Sequence, residues 1–116
     1  MKKFYLAFVA LLLITVNNIH AQVTVNATAG TLTAPYTTLG AAFTAINNGV
    51  HQGVISIDIS GGTTETATAT LNNGIVIPAS YTSVSIQPTA SATITGNIAG
   101  ALIKLNGADD VTINGL

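Results

Sequence analysis

The chain has 116 residues, no cysteine, and only three basic and four acidic side chains, which give a formal net charge of −1. So few lysines and arginines argue against a nucleic-acid partner, because phosphate backbones are held by clusters of these side chains. The absence of cysteine excludes a disulfide-stabilised fold, and the many β-branched and aliphatic residues distinguish the chain from a disordered one.

Residues 1–21 have the pattern of a secretory signal peptide. Two lysines form the charged start, residues 4–16 form an apolar run, and a polar stretch ends at Ala21. The run is shorter than the roughly 18 to 20 residues that span a bilayer. We therefore expect cleavage after Ala21, export of the chain, and no membrane span after cleavage. The mature chain 22–116 keeps Lys104 as its one basic residue against four acids, a net charge of −3.

One segment has the periodicity of a helix. Thr37 or Thr38 can cap its start, and the Asn-Asn-Gly sequence at 47–49 ends it. Gly40 is unfavourable there, since glycine costs about 1 kcal/mol relative to alanine inside a helix. Its apolar side chains fall at i, i+3, i+4 and i+7 and share one helix face: Leu39, Ala42, Phe43 and Ile46.

Short strand patterns precede and follow this helix, separated by Gly, Asn or Pro. They are predicted at 23–28, 54–60, 65–71, 75–77, 84–87, 93–95, 102–105 and 111–114. Both a β-sandwich and a parallel β-helix produce such a pattern, and the sandwich requires the chain to be complete. The sequence Thr93–Gly96 recurs with one change as Thr112–Gly115, 19 residues later. This spacing is close to one coil of a β-solenoid and favours the β-helix.

The order of these motifs resembles the N-terminal part of right-handed parallel β-helix proteins of the pectin-lyase-like superfamily. Three motifs carry the resemblance. A Gly-to-Glu element is matched by Gly62 and Glu65, and a Val-Thr-Ile-x-Gly-Leu element is matched by Val111–Leu116. A capping-helix motif is matched by Tyr36, Thr38, Leu39, Ala42, Phe43 and Ile46. The resemblance implies an all-β fold in which residues 22–116 form one N-terminal capping helix and the first coils of an incomplete β-helix domain. Large exported surface proteins of Gram-negative envelopes, of the type IX secretion kind, are similar. The resemblance also implies downstream coils of the same chain beyond Leu116.

We predict no catalytic, cofactor-binding or metal-binding residue. Asp109 and Asp110 are adjacent acids that we expect in a solvated turn at the start of a strand, whereas glycoside hydrolysis needs two carboxyl groups about 5 to 10 Å apart across the sugar bond. Asp58 should point outward from three buried isoleucines. Glu65 should accept backbone hydrogen bonds at a corner, and His51 lacks the neighbouring ligands of a metal site.

Two functions remain open at this stage. The first is an exported cell-surface or extracellular protein with a structural or adhesin-like role, whose partner is carbohydrate or a cell surface. Strands rich in Thr, Asn and Ser favour it. The second is the inert cap of a polysaccharide lyase or glycoside hydrolase whose active site lies beyond Leu116. For residues 22–116 themselves, the sequence indicates no enzyme and no cofactor.

Overall fold

The computed structural model describes residues 20–115, so the predicted signal peptide lies outside the described residues except for its last two positions. The described chain is mostly β with one short helix. Its elements are β1 Val23–Gly30, β2 Thr33–Tyr36, α1 Leu39–Asn47, β3 His51–Ile59, β4 Thr63–Glu65, β5 Ala69–Asn72, β6 Tyr81–Pro88, β7 Ile94–Gly96, β8 Ile103–Asn106 and β9 Val111–Ile113.

The described strands form three sheets. Sheet A has five strands in the order β2-β1-β3-β6-β9, sheet B pairs β4 with β7, and sheet C pairs β5 with β8. Sheet A is mixed, because β1 runs antiparallel to both β2 and β3, while β3, β6 and β9 run parallel to one another. The pairs in sheets B and C are parallel.

The prediction of a right-handed parallel β-helix with a capping helix is wrong, and with it the resemblance to the pectin-lyase-like superfamily. Sheet A is partly antiparallel, and the described strands do not close into a solenoid. The repeat that favoured a solenoid is not a coil repeat. Ile94 pairs with Thr63 in sheet B, whereas Ile113 pairs with Ile86 in sheet A. Two similar tetrapeptides therefore occupy different sheets, and their 19-residue spacing reflects only local strand chemistry.

One core joins the three sheets and the helix. The predicted apolar face of α1 is confirmed, since all four of its side chains are fully buried, and the helix packs mainly against β5. Thr38 is the N-cap, and its Oγ1 accepts a hydrogen bond from the Ala41 amide at 3.1 Å. The core consists of Val23, Val25, Leu39, Ala42, Phe43, Ile46, Ile55, Ile57, Ile59, Ala69, Leu71, Tyr81, Val84 and Ile86.

Two strand predictions need correction, and one strand of the structure was not predicted. Residues 75–77 form an exposed turn, in which Ile77 is 91% exposed, because the backbone folds back and Tyr81 N–H donates to the Gly74 carbonyl. The predicted strand 65–71 is interrupted, with an exposed corner between β4 and β5. The strand β2 was not predicted because it contains Pro35. Since β2 is an edge strand, proline is tolerated there.

Candidate functional site

The outer face of sheet A is lined by polar side chains. Successive side chains of a strand point to opposite faces of a sheet, and the inward set of β1, β3 and β6 is buried and aliphatic. The outward set, which we name the polar face, consists of Thr24, Asn26, Thr33, Ser56, Asp58, Ser85, Gln87 and Thr112.

The strand register aligns these side chains in two rows that cross the sheet. In one row Asp58 lies between Thr24 of β1 and Gln87 of β6. In the other row Ser56 lies between Asn26 and Ser85. Neighbouring strands are about 4.8 Å apart, so the side chains within a row are close enough to bond to one another or to share a ligand.

Asp58 is the centre of a hydrogen-bond network on this face. Asn26 Nδ2 donates to Asp58 Oδ2 at 3.1 Å, and Gln87 Nε2 donates to Oδ1 at 2.9 Å. Ser56 Oγ also donates to Oδ1, at 3.4 Å, and Thr33 Oγ1 donates to Asn26 Oδ1 at 3.1 Å. Hydrogen bonds to a carboxylate are stronger than neutral ones. The network therefore holds groups from four strands in fixed orientations, and Asp58 points outward as predicted.

Glu65 has a structural position. Its side chain is only 3% exposed, and its two oxygens accept the backbone amides of Leu39 and Gly40, each at 2.9 Å. Thr63 Oγ1 donates to Glu65 Oε1 at 3.2 Å. The carboxylate thus occupies the N-terminus of α1, where the amides are free and the helix dipole favours negative charge. The prediction that Glu65 accepts backbone hydrogen bonds is confirmed.

His51 is fully buried at the start of β3 and is fixed on both sides of its ring. Nδ1 lies 2.5 Å from the Thr31 carbonyl oxygen, and Nε2 lies 2.7 Å from the Tyr36 hydroxyl. A carbonyl oxygen can only accept, so Nδ1 carries the proton, and in the neutral ring Nε2 accepts from Tyr36. Burial raises the pKa of Tyr36 above its ordinary value. This pair holds the β1–β2 turn against β3.

The adjacent acids lie in a turn before β9. Asp109 and Asp110 are both exposed, and Asp110 has a positive φ of 53°. This agrees with the predicted solvated turn. The pKa of the nearby Tyr81 hydroxyl is raised by burial and, secondarily, by the charge of Asp109. Tyr81 donates its hydroxyl hydrogen to the Asn72 carbonyl, so it too is a structural group.

The outward orientation of Asp58 was predictable from the sequence, but its hydrogen-bond partners were not. Asn26 and Gln87 are 32 and 29 positions from Asp58 along the chain. Their outward orientation was available from the alternation of each strand. Their proximity to Asp58 was not, because it depends on the order and register of β1, β3 and β6.

Within residues 20–115, no three His, Cys, Asp or Glu side chains are grouped as they would be in a metal site. The same residues contain no helix that is long and apolar enough to cross a membrane. Comparison with known protein families, with curated proteins and with solved structures gave no match to this chain. The polar face is therefore the candidate site on its own geometry.

Proposed function

We propose that the chain is an exported, non-catalytic protein that binds carbohydrate through the polar face of sheet A, in a structural or adhesin-like role at the cell surface. One observation supports this most directly. Asp58, Asn26 and Gln87 come from three adjacent strands and are held together by hydrogen bonds of 2.9 and 3.1 Å.

The chemistry of the polar face suits sugar hydroxyls. A hydroxyl both donates and accepts, and planar amide and carboxylate groups can bond two neighbouring hydroxyls at once. The Ser and Thr hydroxyls of the face can rotate to serve either role. Because the network already orients the amides and the carboxylate, binding would lose little side-chain entropy. A hydrated polar surface can also keep bridging waters without losing much affinity.

The charge of the polar face limits which carbohydrates can bind to it. Asp58 gives the polar face one carboxylate, while Lys104, the one lysine or arginine among residues 20–115, lies on β8 of sheet C. An anionic glycan would meet this carboxylate without a compensating cation. The face therefore favours a neutral glycan, and its open, multi-strand form suits an extended chain that contacts several strands through many weak bonds.

We propose export because residues 1–21 have the composition of a signal peptide. Expression of the chain in a secreting bacterial host tests whether it is exported. We expect the exported protein to begin at Gln22, as measured by intact mass. Retention of residues 1–21 in all of the protein would contradict the export proposal and would leave the binding proposal to its own test.

The binding test uses neutral hexasaccharides of glucose, xylose, mannose and N-acetylglucosamine in isothermal titration calorimetry. We expect at least one to bind and the variant Asn26→Ala/Asp58→Ala/Gln87→Ala to lose that binding. The matched control is Thr64→Ala, an exposed position on sheet B. Circular dichroism checks that both variants fold.

Two outcomes would contradict the binding proposal. One is that no hexasaccharide binds to the wild-type chain, and the other is that the triple variant binds as well as the wild type. Reducing ends are measured in the same samples. Their release by the purified chain would show an enzyme and exclude a non-catalytic role.

A further inference from the structure

One row of the polar face crosses all five strands of sheet A. Asn26 of β1 is paired with Thr33 of β2 on one side and with Ser56 of β3 on the other. Ser85 of β6 continues the row from Ser56, and Thr112 of β9 continues it from Ser85. The two outermost side chains are exposed and the three central ones are half-buried. This set, which we name the long row, therefore offers one hydroxyl or amide side chain on each strand.

The polar groups continue further across the strands than along them. Neighbouring strands are about 4.8 Å apart, so the long row extends about 19 Å from Thr33 to Thr112. Along one strand, side chains on the same face are two residues or about 6.6 Å apart. The polar run on β3 is also short, because the residue that precedes Ser56 on this face is Val54, which is 54% exposed. A ligand with many hydroxyls thus meets more polar groups, at closer intervals, when it lies across the sheet.

A second row lies beside the long row. Thr24, Asp58 and Gln87 are paired across β1, β3 and β6, two residues further along each strand. Two hydrogen bonds connect the rows, since Asn26 Nδ2 donates to Asp58 Oδ2 at 3.1 Å and Ser56 Oγ donates to Asp58 Oδ1 at 3.4 Å. A single sugar chain carries hydroxyls along both of its edges, and two parallel polar rows can bond both edges at once.

We propose that the polar face binds an extended β-1,4-linked neutral glycan, which lies along the long row with one sugar residue over each strand. This inference rests on the proposed function and names its substrate class. In β-1,4-linked glucose, xylose or mannose both linkage bonds are equatorial. The sugar residues then follow one another in a nearly straight line, and each advances by close to one strand spacing. In an α-1,4-linked chain one bond is axial, so the chain curves away from the row after a few sugar residues.

The linkage is tested by isothermal titration calorimetry of chain 22–116 with cellohexaose and maltohexaose. Both are neutral chains of six glucose residues, and they differ only in the configuration of the linkage. We expect cellohexaose to bind roughly tenfold more tightly, because more of its sugar residues stay over the long row. The β-1,4-linked hexasaccharides of xylose and mannose should also bind more tightly than maltohexaose.

The orientation is tested with the variants Thr112→Val and Ser83→Ala, each of which removes one hydroxyl from the outer face of sheet A. Thr112 lies at the β9 end of the long row. Ser83 is paired with Val54 and lies two residues from Ser85 on β6, outside both rows. A glycan that crosses the strands contacts Thr112 and not Ser83. Thr112→Val should therefore weaken cellohexaose binding about fivefold, the value of one hydrogen bond, and Ser83→Ala should leave it unchanged.

The outcomes separate this inference from the proposed function. Maltohexaose binding as tightly as cellohexaose, with both lost in the triple variant of Asn26, Asp58 and Gln87, would overturn the linkage class and leave carbohydrate binding intact. An unchanged affinity in Thr112→Val, or a loss in Ser83→Ala as large as that in Thr112→Val, would overturn the orientation across the strands. If none of the four hexasaccharides binds, this inference and the proposed function both fail. Circular dichroism checks that each variant folds as the wild type does.

Discussion

The hydrogen bonds between the Glu65 carboxylate and the first amides of α1 can be tested by removing the carboxylate. Glu65→Ala leaves the Leu39 and Gly40 amides and the Thr63 hydroxyl without their buried acceptor. Each hydrogen bond to a charged group contributes about 1.5 to 3 kcal/mol. The helix dipole adds about 0.3 to 1 kcal/mol, while relief from burying the charge offsets part of the loss. We expect the free energy of unfolding to fall by about 3 to 4 kcal/mol.

Glu65→Gln separates the charge from the shape of the side chain. Glutamine keeps one acceptor oxygen but turns its NH₂ toward one of the two helix amides. The free energy of unfolding should therefore fall by about half as much as in Glu65→Ala, about 2 kcal/mol. Urea unfolding followed by circular dichroism measures both variants. The control is Thr64→Ala on the same strand, which is exposed and should change stability by about 0.5 kcal/mol or less. Losses below about 1 kcal/mol in both Glu65 variants would refute the assignment of this carboxylate as the helix cap.

Two further predictions concern other buried contacts. The pKa values of Tyr36 and Tyr81 are raised above 10.0 in the folded chain. The neutral tyrosines therefore add to the free energy of unfolding below pH 10, and this stabilisation is lost as the pH rises through the folded pKa. The variant Tyr36→Phe/Tyr81→Phe should therefore show a smaller decline of stability between pH 9 and about 11 in urea titrations, and an unchanged decline would contradict this. Gly40→Ala would place a Cβ 2.9 Å from Glu65 Oε2 and should lower the melting temperature. In the Glu65→Ala background the same change should stabilise by about 1 kcal/mol through helix propensity, and a destabilising effect there would show that Gly40 serves some other contact.

The elements set by local patterns were predictable from the sequence. The helix followed from the 3.6-residue period of Leu39, Phe43 and Ile46, with Thr38 as its cap, and its limits agree with the structure. The polar alternation around Asp58 likewise predicted which way that side chain points. In both cases the decisive physics acts within a few residues, where the sequence itself fixes the spacing.

The arrangement of strands was not predictable in the same way. Thr93–Gly96 and Thr112–Gly115 look alike because each includes part of a short strand and a nearby glycine, but their partners are decided by distant residues. The antiparallel pairing of β1 with β3 depends on the crossover through β2 and α1, which brings β3 to the other side of β1 and which no repeat length encodes. The candidate site has the same limitation, since Asn26 lies beside Asp58 only because of that crossover.

The hydrogen bonds of Glu65 and Asn47 connect α1 to the sheets. Glu65 of β4 accepts the first amides of the helix, and Asn47, the last residue of the helix, donates to the Thr70 carbonyl of β5 and accepts the Asn72 amide. The helix is therefore fixed at both ends, and its buried face belongs to the same core as the inner side chains of sheet A. Because the outer side chains of sheet A form the polar face, these hydrogen bonds support the surface that we propose binds carbohydrate.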